Sequence, residues 1–134
     1  MNKETKNTYQ KFKSLIEFAE DQFHVRAELI AAIILVESAG NPDAQAKTTS
    51  ARGLMQITRA AAEDIGTPYE LLFYPEENIL TGTEYLARLI AQNDGNERRG
   101  VMAYYAGHGT INDGKETQLD RDAETYADKV YQQL

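Results

Sequence analysis

The sequence holds no cysteine, only two histidines (His24 and His108) and only three prolines in 134 residues. Without thiols there is neither a disulfide scaffold nor a thiolate nucleophile. Two histidines are too few for a histidine-rich metal cluster, so no metal site and no cofactor are expected. No Pro/Gly/Ser-rich stretch, low-complexity tract or internal repeat marks a linker, and the length suits one domain spanning residues 1–134. Long hydrophobic runs are missing too. The longest, residues 29–36, has eight members, against about 20 needed to cross a bilayer. Residues 1–13 carry four lysines but lead into no secretory signal. Positive charge is in deficit: 14 Lys and Arg against 21 Asp and Glu leave −7, with a pI near 4.8. That balance disfavours nucleic acid as a partner, because gripping phosphate backbones requires cations. Hydrophobic residues at 42% and charged ones at 26% fit a globular chain and exclude a disordered one.

What is present is helical periodicity. Phe12, Leu15, Ile16, Ala19 and Phe23 recur at three- and four-residue steps, predicting one helix over 8–23. Residues 26–39 are apolar all round in the middle and stop at Gly40-Asn41-Pro42, which predicts a helix buried on most sides. A polar loop over 41–52 follows, then a helix from Thr58 to Ile65 ended by Gly66. Pro75-Glu76-Glu77 reads as a helix start, with proline early and acids in the positive first turn, and the helix runs to Asn93. A shorter helix is expected over 97–105, and a last one over 121–132 with Tyr126, Val130 and Tyr131 inward. No alternating strand pair is visible. The class is all-α, with loops at 41–52 and 106–120 long enough to shape a site.

Glu37 directly follows the apolar run, at the negative end of the most buried helix, where a carboxylate is electrostatically unfavourable. Desolvation there should raise its pKa and keep part of it protonated, as a general acid requires. An exposed helix-terminal glutamate is the plainer alternative. Gly53-Leu54-Met55-Gln56 offers an amide side chain after a short apolar turn, suited either to loop packing or to a hydroxylated ligand. In Ala103-Tyr104-Tyr105-Ala106-Gly107, adjacent helical tyrosines point about 100° apart, so one can be buried while the other lines a cleft. Either can equally be a core or boundary residue.

Taken in order, Glu37-Ser38, Gly53-Leu54-Met55-Gln56, Pro75-Glu76-Glu77-Asn78-Ile79, Ala103-Tyr104-Tyr105-Ala106-Gly107 and Glu124-Thr125-Tyr126 resemble the SLT family of soluble lytic transglycosylases, which share a fold with goose-type lysozyme. The likeness covers about residues 25–131. It implies a lysozyme-like helical lobe with a groove for peptidoglycan glycan strands, a cell-wall site of action outside the cytoplasm, and a monomer. It also implies cleavage of the β-1,4 bond between N-acetylmuramic acid and N-acetylglucosamine, leaving 1,6-anhydromuramic ends. By resemblance Glu37 is the single catalytic acid/base. Met55, Gln56, Tyr104, Tyr105 and Tyr126 match substrate-side positions, and Ser38, Gly53 and Asn78 supporting ones.

The sequence also departs from that pattern. Tyr105 replaces the family's asparagine, and His108 stands where proline is usual. No serine falls in register in the 45–50 loop, which leaves that contact open between Thr48 and Thr49. Glu63 and Asp64 follow the Gly-Leu-Met-Gln motif closely and read as exposed helix positions. If either reached the cleft, a hydrolytic muramidase on the same fold would be the alternative. An inactive glycan-binding module is the other.

Overall fold

The structure, a computed structural model, describes residues 1–107 and 117–134. The expectations placed on His108 and on most of the 106–120 loop lie outside the described residues. Among those residues the chain forms seven α-helices and no named strand: α1 Lys3–Lys11, α2 Lys13–Phe23, α3 Ala27–Ser38, α4 Arg59–Ile65, α5 Pro75–Gln92, α6 Glu97–Ala106 and α7 Gln118–Gln132. A 3-10 turn, Tyr69–Leu71, precedes α5.

Helix α3 is the axis of the fold. Ala27 and every residue from Leu29 to Ile34 are buried, because α1, α2 and α7 all pack around it. It lacks a side-chain cap of its own; Glu20 of α2 accepts from the Ala27 N–H at 2.7 Å instead. It ends in Ala39 at φ 52°, a left-handed residue that turns the chain out of the core. Helix α5 packs against α2, α4 and α6, and α6 against α7. The Arg26 guanidinium grips Glu97 through two 2.9 Å hydrogen bonds, and the Tyr131 hydroxyl donates to the same carboxylate at 2.7 Å. That cluster ties the start of α3 to α6 and α7.

Two elements differ from the sequence expectation. The helix read over 8–23 is two helices, joined at Phe12 (φ −119°, ψ 26°). The first packs against α3 while the second packs chiefly against α5 and less against α3, so one straight rod cannot serve both. Helix α1 also begins earlier than its apolar residues suggest, because it buries Thr5 and Thr8. The Thr5 hydroxyl donates to the Gln133 carbonyl at 2.8 Å, which joins the two ends of the chain. The last helix starts at Gln118, three residues before the expected start. Thr117 caps the Asp120 N–H, and the Asp120 carboxylate answers the Thr117 N–H in a capping box.

Candidate active site

The site is built where the C-terminal end of α3 meets α6, α7 and the 44–58 loop. Two depressions flank Glu37. One, about 250 Å³, runs past Thr49, Gln56, Ile57, Tyr85 and Tyr104. The other, about 430 Å³, runs past Asp122, Thr125, Tyr126 and Lys129. Glu37 and Tyr105 belong to both, so a linear chain laid along the pair would cross the Glu37 carboxyl.

Burial against the end of α3 pushes Glu37 up to about 7, and the one opposing influence is a hydrogen bond from Tyr126. That hydroxyl donates to Glu37 Oε2 at 2.8 Å. The tyrosine is only 7% exposed because α7 packs it onto α3 and α6. Desolvation and the neighbouring carboxylate hold its phenol well above the usual range, so it is a lasting donor. Tyr104 is buried beside Tyr85, ring centroids 5.6 Å apart, and its hydroxyl donates to the Met55 carbonyl at 2.6 Å. Its neighbour Tyr105 points the other way and is 45% exposed, with its ring 5.2 Å from that of Tyr126. The two tyrosines thus divide between core and cleft.

The 44–58 loop is held by Asn78 of α5. This fully buried amide accepts from the Met55 N–H at 2.7 Å and donates to the Arg52 and Leu72 carbonyls, both at 2.8 Å. Gly53 lies against it at φ 77°, and a Cβ there would sit 2.3 Å from Asn78 Nδ2 and 2.4 Å from the Leu72 oxygen. Only glycine fits. Gln56 sits in the left-handed region at φ 51°, a conformation costly for a side-chain-bearing residue. Its amide donates to the Gly53 carbonyl at 3.0 Å and the Ala44 carbonyl at 3.2 Å while it lines the cleft. Ser38 closes the end of α3, donating to the Ile34 carbonyl at 3.1 Å and accepting from the Gly40 N–H at 3.2 Å.

A profile of the Transglycosylase SLT domain matches residues 14–127. The chain belongs to the transglycosylase SLT domain family. It is similar to the membrane-bound lytic murein transglycosylase F of Desulfosudis oleivorans, at 36% identity over 112 residues, 79% of this chain and 24% of that protein. It is also similar to the peptidoglycan transglycosylase gp16 of Escherichia phage T7, at 31% identity over 116 residues, 83% of this chain and 9% of that one. The chain thus spans no more than about a quarter of the length of these relatives. Its fold is that of an inactive mutant of the lytic transglycosylase Slt from Pseudomonas aeruginosa, with a TM-score of 0.74 over 90% of this chain and 23% of that one, at 22% identity. The all-α, lysozyme-like architecture follows.

Within this SLT domain, Glu37, Gln56, Tyr104, Tyr105 and Tyr126 come together at one groove, and Ser38, Gly53 and Asn78 stand behind it. Met55 is a correction. Expected on the groove, its side chain is 0% exposed, seated on Gly82 of α5, where a Cβ would lie 2.6 Å from its sulfur. Only its backbone takes part, through the Tyr104 and Asn78 hydrogen bonds. Glu63 and Asp64 are exposed and line neither depression. Thr49, not Thr48, reaches the cleft. Sequence reasoning missed Tyr85, Asp122 and Lys129. The i, i+3 and i+4 spacing of Asp122, Thr125 and Tyr126 marks one helix face and was available to find Asp122.

Proposed function

We propose that this SLT domain is a peptidoglycan lytic transglycosylase in which Glu37 serves alone, first as acid and then as base. The observation that carries the reading is the Glu37 carboxyl itself. It is poised near pH 7 between two halves of a groove, and it is the only carboxylate among the described residues of the half lined by Tyr85 and Tyr104.

The chemistry follows from one proton. Protonated Glu37 gives its proton to the glycosidic oxygen, the C1–O bond of the muramoyl residue breaks, and the N-acetylglucosamine side leaves as an alcohol. The resulting carboxylate, steadied by the Tyr126 hydroxyl, takes the proton from the muramoyl C6 hydroxyl as O6 closes on C1. Glu37 ends protonated, no water is consumed, and a 1,6-anhydro end remains. A two-carboxylate glycosidase needs its second acid to attack C1 or to activate water. An internal hydroxyl replaces that group and gains from proximity. A pKa near the working pH suits a group that must both donate and accept.

Gln56 and Tyr105 bear on the sugars, Tyr105 with a ring face held against Tyr126. The unit of action is the whole chain as one catalytic domain, monomeric, without cofactor, working on the wall outside the cytoplasm. The likeness to a lytic murein transglycosylase and to a phage peptidoglycan transglycosylase supports the wall as the substrate. Asp122, in the half-groove beyond Glu37, is the one observation favouring a hydrolytic muramidase instead. Wild type and Glu37→Gln incubated with purified sacculi decide the matter by mass spectrometry of soluble products. Anhydro-ended muropeptides from wild type, absent with the variant, are expected; reducing ends would favour the muramidase.

A further inference from the structure

The negative charge of this protein is unevenly spread. Between Asp43 and Glu63 there is no acid at all, while Lys47, Arg52 and Arg59 all fall there, in a chain of net charge −7. The same segment forms one wall of the cleft, from Ala46 through Thr49 and Ala51 to Thr58 and Ala61. Arg52 and Arg59 line neither depression themselves but directly follow Ala51 and Thr58, which do, so an acidic molecule carries a basic rim along the segment that walls the cleft.

Two of these cations are fixed rather than free. Tyr69 of the 3-10 turn has the Arg52 Cζ at 3.8 Å from its ring centroid and the Arg59 Cζ at 3.9 Å. Two guanidiniums that close to one ring centre cannot share a face, so the ring is clamped between them. Phe73 adds a second ring 4.9 Å from Arg52, and Gln45 accepts from Arg52 Nε at 3.0 Å. The Tyr69 hydroxyl donates to the Ser50 carbonyl at 2.7 Å. The Ser50 hydroxyl accepts from the Arg59 backbone N–H at 3.0 Å, which locks the loop to the start of α4. None of these partners is a carboxylate. Among the described residues the ion pairs are made by Arg26, Arg88 and Arg98. Two guanidiniums immobilised by stacking, with N–H edges still unfilled, are pre-organised for planar anions.

We propose that Arg52 and Arg59 form a stem-peptide site, binding free carboxylates of the acidic peptides carried on the muramic residues of the strand. The site deepens the peptidoglycan reading and rests on it. It gives the protein a preference for strands whose stems are intact, with Lys47 adding long-range attraction along the same rim.

The test is a binding measurement in the Glu37→Gln background, which uncouples binding from cleavage. The probes are glycan strands from diaminopimelate-type sacculi with stems intact, and the same strands after an amidase has removed them. The parent should bind the stem-bearing strands about tenfold more tightly, the scale of one or two charge-assisted hydrogen bonds. Adding Arg52→Gln and Arg59→Gln should bring that ratio close to one, and Arg59→Lys alone should also lower it, because an ammonium keeps the charge but not the stacked, planar donor edge. Should the double substitution lower Tm enough to unfold the protein, Arg59→Gln alone, at an exposed position, is expected to cut the ratio about threefold. Equal affinity of the parent for both strands, or an unchanged ratio in the variants, overturns the site. Binding to neither strand overturns the peptidoglycan reading as well.

Discussion

Glu37 is placed where a carboxylate is least comfortable, at the negative end of a buried helix, and the proposed chemistry uses that discomfort. Its pKa of about 7 means that the acid form is about half populated at neutrality. The free protein's kcat/KM on glycan strands should therefore fall about tenfold per pH unit above pH 7, as the acid is lost. Glu37→Gln should lower turnover by at least about a hundredfold, read as muropeptide release. Tyr126 opposes the upward shift, so Tyr126→Phe removes a donor to the ionised form. The alkaline limb should then move up, by as much as about one pH unit, while the maximal rate falls. The stability consequence has a definite sign. The folded value lies above the ordinary 4.5, so below about pH 4.5 the group is protonated in both states and costs nothing. Stability attributable to it is lost as pH rises from there through about 7. Glu37→Gln escapes that loss, so its Tm relative to wild type should rise by several degrees between pH 4.5 and pH 8.

The elements around the acid are held by one buried amide. Asn78 satisfies three backbone groups, two in the 44–58 loop and the carbonyl of Leu72 just after the 3-10 turn. Asn78→Ala should cost about 2 kcal/mol or more in urea unfolding, because the buried Met55 N–H and Leu72 carbonyl lose their partner, while the Arg52 carbonyl keeps the Ile57 N–H at 3.0 Å. Gly53→Ala should cost a similar amount, through its positive φ and the collision with Asn78. The helices themselves were legible in the sequence wherever apolar periodicity and stop residues agreed. Helix α3 with its Gly40-Asn41-Pro42 exit and α5 with Pro75 fall where they were read. The break at Phe12 was not legible, because nothing local forbids a helix there and the kink answers the different partners of α1 and α2. The start of α7 was legible in principle from Thr117 and Asp120, but a capping box carries no apolar mark. In the motif of residues 53–56, the local pattern could not say which side chain faces the cleft. Met55 is buried because Gly82, 27 positions further along the chain, leaves room for its sulfur.

At the scale of the molecule, net charge and local charge say different things. A net charge of −7 predicts no general attraction to anionic wall polymers. Binding of stem-free strands should change less than about threefold between about 0.05 and 0.5 M salt, since sugar contacts carry it. Stem-bearing strands, read by the Arg52–Tyr69–Arg59 rim, should weaken more over the same range. The groove has the same two-sidedness. One half is uncharged apart from Glu37, with Tyr85, Tyr104 and Tyr105 among small and aliphatic neighbours, while the other brings Asp122 and Lys129 close to the acid. That arrangement makes the chemical outcome, lyase or hydrolase, the point on which the whole account turns.

The most direct test is therefore the mass of the cleaved muropeptides from purified sacculi, measured for the wild-type chain. Glu37 acting alone, with the C6 hydroxyl as nucleophile, predicts muramic ends one water lighter than a hydrolytic product and no incorporation of heavy oxygen from labelled water. Reducing ends that carry the label would contradict it and would assign the second step to water.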